Sequence, residues 1–193
     1  MDKGPFNLGD SFLDDAEEEC SLWTYIQSDL ARISENTDLF SFLKWYLFPK
    51  GSTFPYQVWF RIMHSVKNNY VIKYTIGLVC YMIFRHYEYK YGIHANSNIH
   101  VGKGLKIVHG DGVYLNCKEI GENFTVYQNV TLGSGDNGIP TVGNNVSIYP
   151  GSVIAGGIVL HDYCIVGANS FVSKSVAPKI LVAGCPAKKI KDI

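Results

Sequence analysis

The sequence predicts an α+β chain in which an N-terminal helical segment is followed by a parallel β-helix, a coil of short strands stacked on itself. Two periods predict it. From Ser21 to about Lys90 apolar residues recur at helical spacing, with Leu22, Ile26 and Leu30 on one stripe and Trp23 beside it. After Gly92 an aliphatic residue returns at every sixth position, and Val142, Ile148, Ile154, Leu160, Val166 and Val172 keep that step without an error. Neither an α-helix nor a two-sided strand has a period of six.

The elements follow in order. Residues 1–20 read as a disordered tail, 21–91 as the helical region, 92–180 as the β-helix and 181–193 as a C-terminal tail. Turn signals at Pro49-Lys50-Gly51-Ser52 and at Lys67-Asn68-Asn69 divide the helical region into three or four helices. The six-residue step begins at Ile93, Ile99 and Leu105 and returns at Ile120, Val126 and Leu132. Three strands of six residues per turn bring residues 18 apart into register, so Ile148 stacks with Val166 and Ile154 with Val172. Glycines and asparagines fall at the corners, where positive φ is least costly for them. One coil cannot bury its own core, so the stack folds as a unit.

Composition narrows the function. Seventeen Lys plus Arg balance seventeen Asp plus Glu, which removes the electrostatic footprint of a nucleic-acid binder. The acidic run at Asp14, Asp15, Glu17, Glu18 and Glu19 and the basic tail at Lys188, Lys189 and Lys191 read as solvated surface. Five cysteines without a C-x-x-C pair do not suit a disulfide framework, and with no secretory pattern at the start a cytoplasmic location is expected. The most apolar stretch, Val71 to Phe84, is too short and too interrupted to span a bilayer. A membrane-surface role for it is disfavoured because no basic face accompanies the apolar one, although docking near lipid-linked precursors remains a hypothesis.

Two interruptions mark where a site would be built. At Val108-His109-Gly110-Asp111-Gly112 the next apolar corner, Val113, comes eight positions after Leu105 instead of six. Between Leu132 and Val142 a polar loop, Ser134-Gly135-Asp136-Asn137-Gly138-Ile139-Pro140-Thr141, leaves the coil. Together the two interruptions can wall a pocket.

From Ile93 to Ile190 the sequence resembles the serine acetyltransferase-like branch of the hexapeptide-repeat acyltransferases, whose β-helix is left-handed. The resemblance rests on Ile99-His100-Val101-Gly102-Lys103-Gly104-Leu105 leading to His109-Gly110, on Asn129-Val130-Thr131-Leu132-Gly133, on Val166-Gly167-Ala168-Asn169-Ser170 and on Ala183-Gly184-Cys185-Pro186-Ala187-Lys188. It implies a homotrimer that moves acetyl groups from acetyl-CoA to a hydroxyl in a groove between adjacent subunits, with His109 as the catalytic base. A hydroxyl must lose its proton as it attacks a thioester, and imidazole suits that task near neutral pH. Backbone amides near Gly133 and Ser134 are the expected oxyanion donors. For the CoA chain the resemblance implies small-residue corners and cations, here Gly151, Ala168, Asn169, Lys174 and Lys188.

The sequence also departs from that pattern. Serine acetyltransferases place aspartates where this chain has Gly92 and Val108, and an Arg-His pair in the loop after Leu132 that is missing here. Those charges suit an amino acid acceptor. Asp111, Asp136 and Asn137 instead read as acceptor-binding groups for a neutral polyol, so a sugar hydroxyl of surface-polysaccharide biosynthesis is preferred, with serine as the alternative. The partner that orients His109 is left open among Asp111, Glu119 and a main-chain carbonyl. His94 and His100 do not converge within one chain and His161 reads as structural, so no metal site is expected. A non-catalytic scaffold, with Trp45, Tyr46, Tyr56 and Trp59 as a docking surface, is the remaining alternative; at helical spacing such residues are more often core.

Overall fold

A computed structural model describes residues 21–68, 75–96 and 98–193. The tail expected over 1–20, the start of the Val71 to Phe84 stretch and the end of the Lys67-Asn68-Asn69 break lie outside the described residues. Four α-helices are found among those described: α1 (Leu22–Leu30), α2 (Leu39–Leu47), α3 (Phe54–Asn68) and α4 (Gly77–Tyr91). Capping residues fix their starts and ends. Ser21 accepts from the Thr24 amide at the start of α1, and Asp38 accepts from the Ser41 amide at 2.8 Å at the start of α2. Hydrogen bonds from the Ser41 hydroxyl and then its amide hold the Asp38 carboxyl below its usual pKa. Gly92, at φ +59°, ends α4 in the left-handed conformation.

The β-helix has three parallel faces. The first holds β1 (Ile93–Ala95), β4 (Val113–Leu115), β7 (Thr131–Gly133), β10 (Val153–Ala155) and β13 (Phe171–Val172). The second holds β2 (His100–Val101), β5 (Glu119–Ile120), β8 (Thr141–Val142) and β11 (Val159–Leu160). The third holds β3 (Lys106–Ile107), β6 (Thr125–Val126), β9 (Ser147–Ile148), β12 (Ile165–Val166) and β14 (Ile180–Ala183). Residues 180–192 end the coil as a hairpin, with β15 (Lys188–Asp192) antiparallel to β14.

The expected ladder is present. Ile148 pairs with Val166 and Ile154 with Val172, and all six members of the regular run from Val142 to Val172 are buried. In the first coil the frame differs by two residues. Val101 and Ile107, rather than Ile99 and Leu105, pair with Ile120 and Val126. The reason is that each short strand sends two alternate residues inward. Ile99, Leu105, Phe124, Val130 and Val146 fill the second inward position, so both sets are buried. At the two corners that precede β10 and β13 this second position is Ser152 and Ser170, whose buried hydroxyls both donate to the Gly167 carbonyl, at 2.8 and 2.6 Å.

The helices close the open end of the coil and clamp its side. Tyr56, Phe60 and Phe84 stack against one another and continue the β-helix core through Ile93 and Ile99. The clamp is polar. Asp29 of α1 and Arg61 of α3 form a buried bidentate pair, at 2.9 and 3.0 Å. Arg61 also donates to the Val101 and Gly102 carbonyls, and Asp29 accepts from the Leu105 amide at 2.8 Å. Burial pushes the Asp29 carboxyl up, and Arg61 and the amides oppose that shift. Gln57 and Thr53 add donations to the Leu105 and Ile107 carbonyls.

Arg61→Ala would leave the Asp29 carboxylate buried with no countercharge, held only by backbone amides, and would remove the Arg61 donor from the Val101 and Gly102 carbonyls. It should cost about 3–5 kcal/mol in urea unfolding, and a loss below about 1 kcal/mol would show that the clamp is dispensable.

Candidate active site

The corner between the third and first faces carries His109. Val108 is still bonded to Val126 of the next coil, through its amide to the Val126 carbonyl at 2.9 Å. From Ile107 to Leu115 the inward step is then eight residues, against six from Val126 to Leu132, so two extra residues are expelled at this corner. The helical half holds the expelled loop. Asp111 donates its amide to the Tyr91 carbonyl at 2.6 Å, and Gly112 donates to the Gly92 carbonyl at 2.9 Å. Glycine at 110 is required, because a Cβ there would run into the Tyr91 carbonyl oxygen.

His109 is exposed and makes no hydrogen bond with any described residue of its own chain. Asp111 sits two residues on with φ +63°, its carboxylate exposed and its carbonyl accepting from Asn129 at 3.0 Å. Of the partners expected to orient His109, Asp111 shares its corner. Glu119 does not: it lies on β5, in the face opposite this corner, beside a small cleft with His161 and Asp162.

The same corner continues up the coil through backbone bonds. Asn129 bonds to Asp111, Gly151 to the Gln128 carbonyl at 3.2 Å and Asn169 to the Pro150 carbonyl at 2.8 Å. His109, Asp111, Gly151, Ala168 and Asn169 therefore share one edge. Sequence reading missed a member of it, Gln128, whose side-chain oxygen is buried without a partner. Its alternation with inward Val126 and Val130 places it at the corner, but nothing in the sequence distinguishes it from other corner residues.

The remaining predicted residues lie elsewhere. Gly133, Ser134, Asp136 and Asn137 occupy the corner between the first and second faces, across the first sheet from His109. Within one chain the two interruptions do not wall one pocket. Their loop is a small hairpin, with Gly135 and Gly138 exchanging backbone bonds at 2.9 and 3.1 Å. It rests on Gly156-Gly157, where a Cβ on Gly157 would strike the Asn137 carbonyl. Lys174 and Lys188 line one concavity of about 470 Å³ at the C-terminal end of the coil, floored by Val172, Val176 and Val182.

Thiol chemistry has little to draw on in the core. Burial and the nearby Glu119 push the Cys117 thiol up to about 12, and burial pushes Cys164 to about 11. Among the described residues no group of three or more His, Cys, Asp or Glu is placed to hold a metal ion.

Comparison with known proteins agrees with this architecture. Residues 140–174 match the family described as bacterial transferase hexapeptide (six repeats). Serine acetyltransferase from Staphylococcus epidermidis is 40% identical over 107 residues, 52% of this chain and 50% of the relative. The chain thus spans about half the length of the curated relatives it matches. Among solved structures, serine acetyltransferase from Neisseria gonorrhoeae superposes with a TM-score of 0.70 at 28% identity, covering 89% of this chain and 66% of the other. Serine acetyltransferase from Brucella abortus, in complex with coenzyme A, shares the fold with a TM-score of 0.70 at 23% identity, covering 87% and 67% of the two chains.

Gly110→Ala should displace the His109 loop from Tyr91 and cost about 1–3 kcal/mol. Thermal unfolding measures the cost, and an unchanged midpoint would contradict the packing described for this loop. Over about half its length by sequence, and by fold, the chain is similar to serine acetyltransferases, and its residues 140–174 carry the hexapeptide repeat of a left-handed β-helix.

Proposed function

We propose that this protein is an acetyl-CoA-dependent O-acetyltransferase with His109 as its general base. The observation that carries the reading is the two-residue extension that lifts His109 out of the coil, on the edge it shares with Gly151, Ala168 and Asn169. In this reading the imidazole takes the acceptor's hydroxyl proton as the oxygen attacks the thioester carbon. The tetrahedral intermediate then collapses, the C–S bond breaks, and the proton passes from the imidazolium to the departing CoA sulfur. Asp111 is the group of this chain best placed to orient the ring.

CoA lies along the His109 edge, with Gly151, Ala168 and Asn169 offering close backbone approach and Lys174 and Lys188 offering charge to its phosphates. A coenzyme A complex of the same fold, from Brucella abortus, supports that choice of cofactor. Gly133 and Ser134, the expected oxyanion donors, lie across the first sheet from His109 in the same chain. A site that uses both draws them from two copies, which supports the homotrimer. The outward row of the first sheet, with Tyr114, Val153 and Phe171 exposed, offers an apolar face for the contact.

The relatives' names favour serine as acceptor over the sugar hydroxyl that the sequence departures favour. One observation keeps the sugar as a second reading. Where serine acetyltransferases carry an aspartate, Gly92 is left-handed, and a Cβ there would sit 3.1 Å from the Asp111 Cα. A charged side chain at this point would strain the His109 loop.

The test is thiol release from acetyl-CoA by the purified protein with L-serine and with a panel of nucleotide sugars. Turnover with serine supports the first acceptor, turnover with a sugar alone supports the second, and no release with any acceptor supports a scaffold. In the productive case His109→Ala should lower kcat by about 10²–10⁴-fold.

A further inference from the structure

The outer surface of the third sheet runs up to the His109 edge, and two ladders of outward side chains lie on it. In the first ladder Lys106 pairs with Thr125 and Thr125 with Ser147, alternating with the inward row of Ile107, Val126 and Ile148. The second lies two residues further along each strand, where Val108, Tyr127 and Tyr149 bond to the coils above them and point outward by the same alternation. Tyr127 and Tyr149 stack, with ring centroids 5.0 Å apart and an interplanar angle of 15°, and Tyr149 is exposed. The stacked rings form a flat apolar wall one residue before the corner that holds His109 and Gln128.

Charge and length identify what fits this wall. Arg32, which follows α1, reaches over the sheet and donates to the Thr125 hydroxyl at 2.8 Å. Lys106 lies beside Thr125, half-buried and without a side-chain partner among the described residues. Neither cation is paired with a carboxylate among those residues: Asp29 is taken by Arg61, and Glu35, close after Arg32 in the chain, is exposed and makes no ion pair with it. Two half-buried cations without a countercharge favour an anion, and a guanidinium beside an ammonium suits the oxygens of a phosphate. At the corner, the buried Gln128 side-chain oxygen lacks a donor, which a sugar hydroxyl can supply. Two residues of strand, roughly 7 Å, separate Thr125 from Tyr127. Serine carries its carboxylate two carbons from the hydroxyl-bearing one, too short to touch both His109 and a guanidinium held at Thr125. A hexose phosphate spans that gap, with its ring against the tyrosines and a hydroxyl beyond them at His109.

We propose that this surface is a subsite for glycosyl phosphates, in which Tyr127 and Tyr149 stack on the sugar ring and Arg32 and Lys106 hold the phosphate. The inference deepens the second acceptor reading and rests on it for which end of the sugar faces His109. The sequence hides the site, since Arg32 and Lys106 stand far apart in the chain and meet only because both lie at Thr125.

Isothermal titration calorimetry of the full-length protein, with and without coenzyme A, reads the subsite separately from acetyl transfer. The probes are the 1-phosphates of glucose, galactose and N-acetylglucosamine and their uridine diphosphate conjugates, which distinguish a free sugar phosphate from a nucleotide-linked one. At least one probe should bind, and Lys106→Ala should weaken it about tenfold, as expected for the loss of one charge-assisted contact. Tyr149→Ala should weaken it as well. Lys106 has no side-chain partner to lose, so its variant keeps the test open if Tyr149→Ala does not fold. Coenzyme A should bind Lys106→Ala as tightly as it binds the unaltered protein. Binding of none of the probes, or binding that both variants leave unchanged, would overturn the inference; thiol release from acetyl-CoA with serine or a neutral sugar would then leave the acetyltransferase reading standing. An equal loss of coenzyme A affinity in Lys106→Ala would also overturn it, because the cations would then serve the cofactor. Probe binding that the variants weaken, without thiol release, would uphold the subsite and count against acetyl transfer.

Discussion

Each coil of the β-helix has to close in register with the coil beneath it, because an inward aliphatic side chain is buried only if another lies directly below. The regular coils meet that requirement with 18 residues, as the Ile148–Val166 and Ile154–Val172 pairs show. A segment with more residues cannot hold the excess inside. It must expel it at a corner, where the backbone turns outward and meets water or another chain. The two expulsions in this protein are the His109 loop and the Gly135–Gly138 hairpin, and the proposed chemistry occupies both. The constraint that builds the core also decides where function can be placed.

Expulsion alone would leave His109 on a floppy loop. The helical half removes that freedom at its own C-terminus, since the Tyr91 and Gly92 carbonyls accept from Asp111, Gly112 and Val113. Those carbonyls belong to the last turn of α4, which has no further helical amide to receive them, so the end of the helix and the loop satisfy each other. Earlier in the chain, the Asp29–Arg61 pair performs a similar service for the first coil, bonding to the carbonyls of Val101 and Gly102 and the amide of Leu105. A buried ion pair adds little stability over an apolar one of similar shape. What it supplies here is direction, because only one placement of α1 and α3 satisfies both charges and the strand end together.

Much of this was legible in the sequence. The period of six gave the coil, the interruptions located its corners, and the positive-φ asparagines Asn123, Asn129, Asn145 and Asn169 fall at the turns expected of them. Other features were not legible for physical reasons. The first coil was read two residues out of frame because both alternate positions of each strand are inward, and aliphatic residues occupy both. Asp29 and Arg61 look like surface charges along an amphipathic helix, and only the approach of the first coil turns them inward. The two interruptions suggested one pocket, yet a three-sided coil puts them on opposite edges of one sheet. That separation becomes visible only once strands are assigned to faces, and it is what makes a second copy part of the proposed site.

The central claim is that acetyl transfer takes place at the His109 edge, so the most direct measurement is a crystal structure of the protein with coenzyme A bound. The account predicts the pantetheine arm along the corner of Gly151, Ala168 and Asn169, with its sulfur beside His109 and the Gly133–Ser134 segment of a neighbouring copy facing it. Coenzyme A seated instead in the cleft of Glu119 and His161, or held at the lysine-lined end of the coil without reaching His109, would contradict it.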